Sequence, residues 1–380
     1  MKNVVFILII LTILVIWFFY YKVLSKTLDS PPVQNQFSQS EIDKSPKISV
    51  IAQNLDTPWA IAFLPDKSIL VTERVGRIRL VNSRGQLENE PVAILGQVKE
   101  IGEGGLLGIT LHPDFSKNKF IYLYYTYLGS GQEKTLNRVS RMIYQNGKLT
   151  DEKIIIDNIP GAPNHNGGRI KFGPDNLLYI TTGDAQDPSQ AQDKNSLAGK
   201  ILRVRDDGQV PPDNPFNNLV YSYGHRNPQG LAWDAKGNLW STEHGPSGGQ
   251  FGTGNDEINK IEAGKNYGWP ETQGDQTKFG MEKPIKHSGI NTTWAPAGSA
   301  FVGNSLFFAG LRGQTLYEAV IEDNQVKQLK EHFKAEYGRI REVILGPDDL
   351  LYIATSNRDG RGNPDSLDDK VIRIDPQGNL

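Results

Sequence analysis

At 380 residues the chain is long enough for one large domain or two ordinary ones, and for a sizeable core. Its 41 basic and 43 acidic residues nearly cancel, which argues against a nucleic-acid partner and against a polybasic membrane surface. The absence of cysteine excludes disulfides, thiol catalysis, a lipid-modified N-terminal Cys and thiolate metal sites, while 39 glycines and 22 prolines suit a turn-rich all-β protein.

The first element is an apolar run, Val4 to Tyr21, long enough to cross a bilayer as a helix. No small-x-small cleavage site follows, and Trp17, Tyr20 and Tyr21 suit a membrane interface, so residues 1–21 read as an uncleaved transmembrane anchor; a cleaved signal is the alternative. The polar, proline-bearing residues 22–47 read as a tether. This organisation places residues 48–380 outside the cytoplasm, in a periplasm or at a cell surface.

From Ile48 onward an apolar strand, a Pro-Asp or Gly-Asn turn and a second strand recur. The copies are Ala60–Arg74, Gly108–Thr126, Arg169–Asp184, Gly230–Gly245, Ser299–Leu311 and Arg341–Asn357. Six such copies, with further alternating runs at Gly76–Asn82 and Lys370–Asp375, predict an all-β, six-bladed β-propeller. Ile48–Ala52 is expected to complete the blade formed by the C-terminal strands and so close the ring. A pair of β-sandwiches is the rival, but no linker-like change of composition divides Ile48–Pro376.

Loops at one end of a propeller channel converge, so polar residues just outside the repeats are candidates for a site. His165, among Asn164, Asn166 and two glycines, can take a proton near neutral pH or serve as a backbone-bonded turn residue. Arg226 and Asn227 lie in a Gly/Pro-rich run unsuited to a strand interior; the guanidinium either stabilises an oxyanion or pins a loop. Arg339 and Arg341 share one face of a strand, as a polyanion site or a solvated edge would have them. Asp256 and Glu257 are hard-oxygen donors suited to Ca²⁺, without EF-hand spacing, or solvated acids. Motifs for nicotinamide, P-loop, zincin and serine-hydrolase chemistry are absent.

Read in order, the runs GEGGLLG (Gly102–Gly108), NHNGGR (Asn164–Arg169), GHRNPQGL (Gly224–Leu231), EHGP (Glu243–Pro246), NDEIN with KNYGWP (Asn255–Pro270) and GRIREV (Gly338–Val343) resemble the soluble glucose dehydrogenase and aldose sugar dehydrogenase family, which uses pyrroloquinoline quinone (PQQ). The resemblance covers about Ser49–Asp375 and implies a six-bladed propeller that oxidises aldoses at C1 to lactones. It further implies His165 as general base oriented by Asp184, with Arg226 and Asn227 against the reacting carbonyl of PQQ. Arg312, Arg339 and Arg341 would bind the cofactor's carboxylates, with Glu103, His244 and Trp294 also at the cofactor. Backbone carbonyls of Gly245 and Pro246 would hold a catalytic Ca²⁺, and Asp256, Glu257 and Tyr267 match a second, structural Ca²⁺ site. Glu103 and His244 stand where some relatives carry glutamine, and Arg312 where they carry lysine; Thr292, Thr293 and Trp294 align only across a gap. The implied partners are an aldose and an electron acceptor, whether quinone, cytochrome or dye, with the membrane reached through the anchor. A non-catalytic binding propeller of the same family is the alternative function, and a Ca²⁺-dependent lactonase-type propeller a further rival.

Overall fold

The computed structural model describes residues 48–131 and 134–378; the anchor and tether expected over 1–47 lie outside the described residues. Among those described, no helix is long and apolar enough to cross a membrane. The described residues form six four-stranded antiparallel sheets. After β1 (Ile48–Ala52), the first blade contains β2 (Pro58–Phe63), β3 (Ile69–Glu73), β4 (Arg77–Val81) and β5 (Ala93–Ile94). The second comprises β6 (Leu106–Leu111), β7 (Phe120–Leu128), β8 (Thr135–Gln145) and β9 (Lys148–Pro160), and the third β10 (Ile170–Phe172), β11 (Leu178–Thr182), β12 (Lys200–Val204) and β13 (Val220–Tyr223). The fourth holds β14 (Pro228–Trp233), β15 (Leu239–Glu243), β16 (Glu257–Ile261) and β17 (Lys286–His287), and the fifth β18 (Pro296–Val302), β19 (Ser305–Gly310), β20 (Thr315–Glu322) and β21 (Gln325–His332). The sixth runs β22 (Ile340–Leu345), β23 (Leu351–Thr355), β24 (Val371–Ile374) and then β1.

Ring closure follows the expectation. β1 pairs antiparallel with β24 through Ile48↔Ile374, Ser49↔Arg373 and Val50↔Ile372, so the first described strand is the outermost strand of the last blade. β22 in turn lies against β2, which completes the circle of first strands. Each predicted repeat is the inner hairpin of one blade, as β2 and β3 are for Ala60–Arg74.

The second strands differ from what period-2 alternation leads one to expect. β3, β11, β15 and β23 are buried along their whole length, because both faces of an inner blade strand meet neighbouring blades. Their polar residues are satisfied internally: the hydroxyl of Thr72 donates to Leu107 O at 2.7 Å and that of Thr242 to Ala297 O at 2.8 Å, each reaching the following blade.

Five of the six first strands carry a bulge near their start, at Pro58/Ala60, Leu106/Ile109, Pro228/Gly230, Pro296/Ser299 and Ile340/Glu342. A bulge adds one residue against its partner and re-aims that side chain. The extra residues include Trp59, Gln229 and Arg341, and these meet in the channel. Arg341 Nη1 donates to Gln229 Oε1 at 2.6 Å, and the Arg341 and Arg169 guanidinium groups lie 5.9 and 4.3 Å from the Trp59 ring. The buried Arg169–Glu342 ion pair completes this layer, which floors the site described next.

Candidate active site

A cavity of about 490 Å³ opens where the first strands begin. His165 stands on its wall, at a positive φ of 62° that few residues other than glycine adopt readily. Three hydrogen bonds at Asn166 fix the loop. Asn166, 1% exposed, donates to Ala162 O at 2.7 Å and accepts from Ala162 N and Asn137 Nδ2. Glycines flank it because nothing larger fits: a Cβ at Gly183 would come within 1.9 Å of His165 O, and one at Gly102 within 2.0 Å of Pro163 O.

The His165 ring meets Asp184, with Nδ1 2.7 Å from Oδ1. Asp184 is fully buried, and its other oxygen accepts from Trp269 Nε1 at 2.8 Å, so the carboxylate holds its orientation from both sides. An ionised carboxylate can only accept, so Nδ1 carries the hydrogen and Nε2 is left as the proton acceptor.

Opposite stand the cations. Arg339 Nε and Nη2 donate to Asp359 Oδ2 at 2.9 and 2.8 Å, and Arg341 Nη2 lies 4.0 Å from the same oxygen. Two arginines thus share one carboxylate, and Arg312 lines the cavity beside them. Burial, with Arg339 adding repulsion against the pull of Asp359, lowers Arg341 to about 9, still cationic at neutral pH. Among the described residues its buried Nε has no partner, and neither do Asn227 Nδ2 and His244 Nε2. Polar atoms orphaned around a cationic cavity suit a ligand rich in anionic oxygen acceptors.

His244 is pushed down to about 3 by burial and by the nearby Arg341 and Arg226 despite the opposing pull of Glu103, and is neutral at pH 7. Glu103 accepts from His165 N at 3.1 Å and from Arg361 Nη1 at 2.7 Å. Burial alone would raise its pKa, but protonated His244, Arg361 and the His165 N–H hold it at about 2. At neutral pH, where His244 is uncharged, Arg361 is the cation that pairs with Glu103.

The fold brings Glu103, His165, His244, Gly245, Asp256, Arg312, Arg339 and Arg341 to one cavity, with Asp184 directly behind His165. Arg226, Pro246, Glu257 and Tyr267 instead border an adjoining void of about 10 Å³, roughly the room one ion or water needs. Arg226 lies 5.4 Å over the Trp269 ring, and its backbone N–H donates to Glu243. Asn227 is fully buried and accepts from Gly167 N at 3.0 Å. Trp294 packs its ring against Phe308 and Tyr317, so that Thr293 and Ala295, rather than its indole, face the cavity.

The residues expected at the calcium sites divide. Asp256 engages both oxygens with backbone, accepting from Gly245 N at 2.8 Å and from Trp294 N and Ala295 N at 2.6 and 2.9 Å. The Tyr267 hydroxyl donates to Lys260 O and accepts from Glu262 N. Glu257 faces Glu243 across the β15–β16 ladder, and burial with that like charge raises it to about 8. A cation in the adjoining void would relieve that pair. Among the described residues no group of three or more His, Asp or Glu side chains forms a metal cluster, so backbone carbonyls would have to share the coordination.

Sequence reasoning did not single out Trp269, Asn166, Asp359 or Arg361. The last two lie in the Gly-bearing turn Ser356–Asn363 directly after the sixth repeat, the position where other repeats carry site residues. That signal was present.

Residues 55–367 match the family described as glucose/sorbosone dehydrogenase. The chain is 33% identical to aldose sugar dehydrogenase YliI of Escherichia coli, over 82% of this chain and 91% of that one. Among solved structures it is similar to a putative oxidoreductase (glucose dehydrogenase) from Thermus thermophilus, with TM-score 0.81, 43% identity and coverage of 86% and 98% of the two chains. It is likewise similar to the PQQ-bound aldose sugar dehydrogenase of Streptomyces coelicolor, with TM-score 0.79, 37% identity and the same coverage. The family match runs from before the first blade into the sixth and takes in the loops that build the cavity, and the chain belongs to the glucose/sorbosone dehydrogenase family.

Proposed function

We propose that this protein is a PQQ-dependent aldose dehydrogenase that converts the C1 hydroxyl of a sugar to a lactone carbonyl. The observation that carries the reading is one cavity with a carboxylate-oriented imidazole on one wall and an under-neutralised arginine cluster on another. Similarity to a PQQ-bound relative supports it. Arg339, Arg341 and Arg312 would hold the carboxylates of PQQ, and the unpartnered Nε of Arg341 fits that role. PQQ would supply the hydride acceptor for C1, and a Ca²⁺ that the Gly245 and Pro246 carbonyls would help to hold would supply Lewis acidity.

This chain's own residues supply the proton path and the placement. His165 Nε2 accepts the proton of the C1 hydroxyl, and Asp184 stabilises the resulting imidazolium while keeping the ring in one orientation. Arg226 adds positive charge beside the site from the adjoining void. Glu103 accepts the His165 backbone N–H and so holds the loop that presents the imidazole. The enzyme acts outside the cytoplasm, held by residues 1–21, and passes its electrons to a separate acceptor; the apolar run Val4–Tyr21 supports the tethering.

Dye reduction by protein lacking residues 1–47, with glucose and other aldoses, tests the reaction. Activity is expected only when PQQ and Ca²⁺ are both supplied. No turnover across the sugars, with no PQQ absorbance retained by the protein, would replace this reading with a binding propeller. Fractionation tests the tether: the full chain should sediment with membranes and the shortened one should not.

A further inference from the structure

The mouth of the cavity carries an ion pair between distant blades that the proton path does not require. Arg361, from the loop after β23, donates to Glu103 Oε1 at 2.7 Å and to Asn164 Oδ1 at 2.9 Å, atoms carried on the loops before β6 and β10. All three residues line the cavity with His165. The Arg361 side chain is 53% exposed and that of Glu103 13%, so the cation forms the rim and the carboxylate lies just inside. Arg339 and Arg341 have Asp359 as counter-charge, whereas Arg361 has Glu103. Glu103 therefore does two things at once: one oxygen fixes the His165 backbone and the other neutralises the rim.

We infer that Glu103 and Arg361 set the charge of the sugar this site accepts. Paired, they present a neutral rim to uncharged aldoses and disfavour aldohexuronates, whose carboxylate would meet Glu103 and find Arg361 already engaged. Freed from Glu103, the Arg361 guanidinium becomes a receptor for that carboxylate. Discrimination thus comes from a repulsive group as much as from an attractive one. The inference rests on the sugar-oxidising reading above.

The test compares the wild type with Glu103→Gln, Arg361→Gln and the double variant. Glutamine keeps an acceptor for the His165 N–H and removes only the charge. With PQQ and Ca²⁺ supplied, Glu103→Gln should raise the ratio of kcat/KM for glucuronate over glucose by roughly tenfold or more, and Arg361→Gln in the same chain should abolish the gain. A purely structural role would alter both sugars together and leave the ratio in place. Calorimetric titration of glucuronate into cofactor-free protein gives a second readout, in which Glu103→Gln should bind more tightly than wild type. A ratio unchanged within about twofold, a gain that survives in the double variant, or calorimetry showing no difference between Glu103→Gln and wild type would overturn the inference. Failure of the wild type to oxidise any aldose would instead remove the function on which it rests, and the calorimetry would still decide whether the rim pair reads charge.

Discussion

The proposed chemistry turns on one side chain, His165, and on how it is held. Its backbone lies at a positive φ of 62°, its Nδ1 is tied to Asp184, and Trp269 and Asn166 fix the surroundings. His165→Ala should lower kcat by about 10²–10⁴ while PQQ absorbance is retained on the protein; equal turnover would remove the proton-acceptor role. Asp184→Asn should also reduce kcat and lower Tm, since an amide that still accepts from Trp269 turns its NH2 toward Gln186 N and no longer stabilises an imidazolium. Glu103 makes a pH prediction. Its folded pKa of about 2 lies below the ordinary 4.5, so the stability it contributes is fully present above about pH 4.5 and is lost as pH falls through about 2. Thermal melting across that range should show a shallower acid decline for Glu103→Gln. His165, Arg339 and Arg341 were legible in the sequence because glycines and strand spacing marked them. Asp359 and Trp269 were not, since their roles depend on partners 20 and 85 residues away.

Among the elements, the first strands do most to shape the site. Their bulges place Trp59, Gln229 and Arg341 in the channel, so a local irregularity repeated around the ring becomes the floor of a cavity. The segment that follows Asp184 is secured differently. Lys200, fully buried on β12, donates to Gln190 O at 2.7 Å, Ala191 O at 3.0 Å and Ala198 O at 2.5 Å. Lys200→Met would leave those carbonyls without their donor and should cost about 1–3 kcal/mol in chemical denaturation, with reduced kcat as Asp184 loosens. The inner hairpins were readable as repeats, whereas β5 and β17, two residues each, carry too little pattern to be seen without their neighbours.

Across the whole molecule, closure decides stability. The last blade is completed by β1, contributed by residues more than 300 positions from its partner β24. Removing residues 48–52 would expose the edge of β24 and the apolar residues packed around Ala52 and Leu55. The shortened protein should melt lower by about 5 °C or more in calorimetry and tend to associate through that edge; an unchanged Tm would mean that the ring does not depend on this strand.

Blade number, the closing strand and the family were all readable along the chain, because turn dipeptides, strand period and ordered glycine-bearing loops are local signals. Which residues face the cavity and which stand behind it became visible in three dimensions alone. Trp294 and Arg339 are both expected at the cofactor, yet the indole packs into a blade while the guanidinium lines the site. Asp256 reads as a metal ligand until three backbone N–H groups are found on it. Arg361 reads as an exposed loop cation until its bond to Glu103, 258 residues away, appears across the channel mouth. Partners separated this far are brought together by ring closure alone, and no local pattern records that juxtaposition.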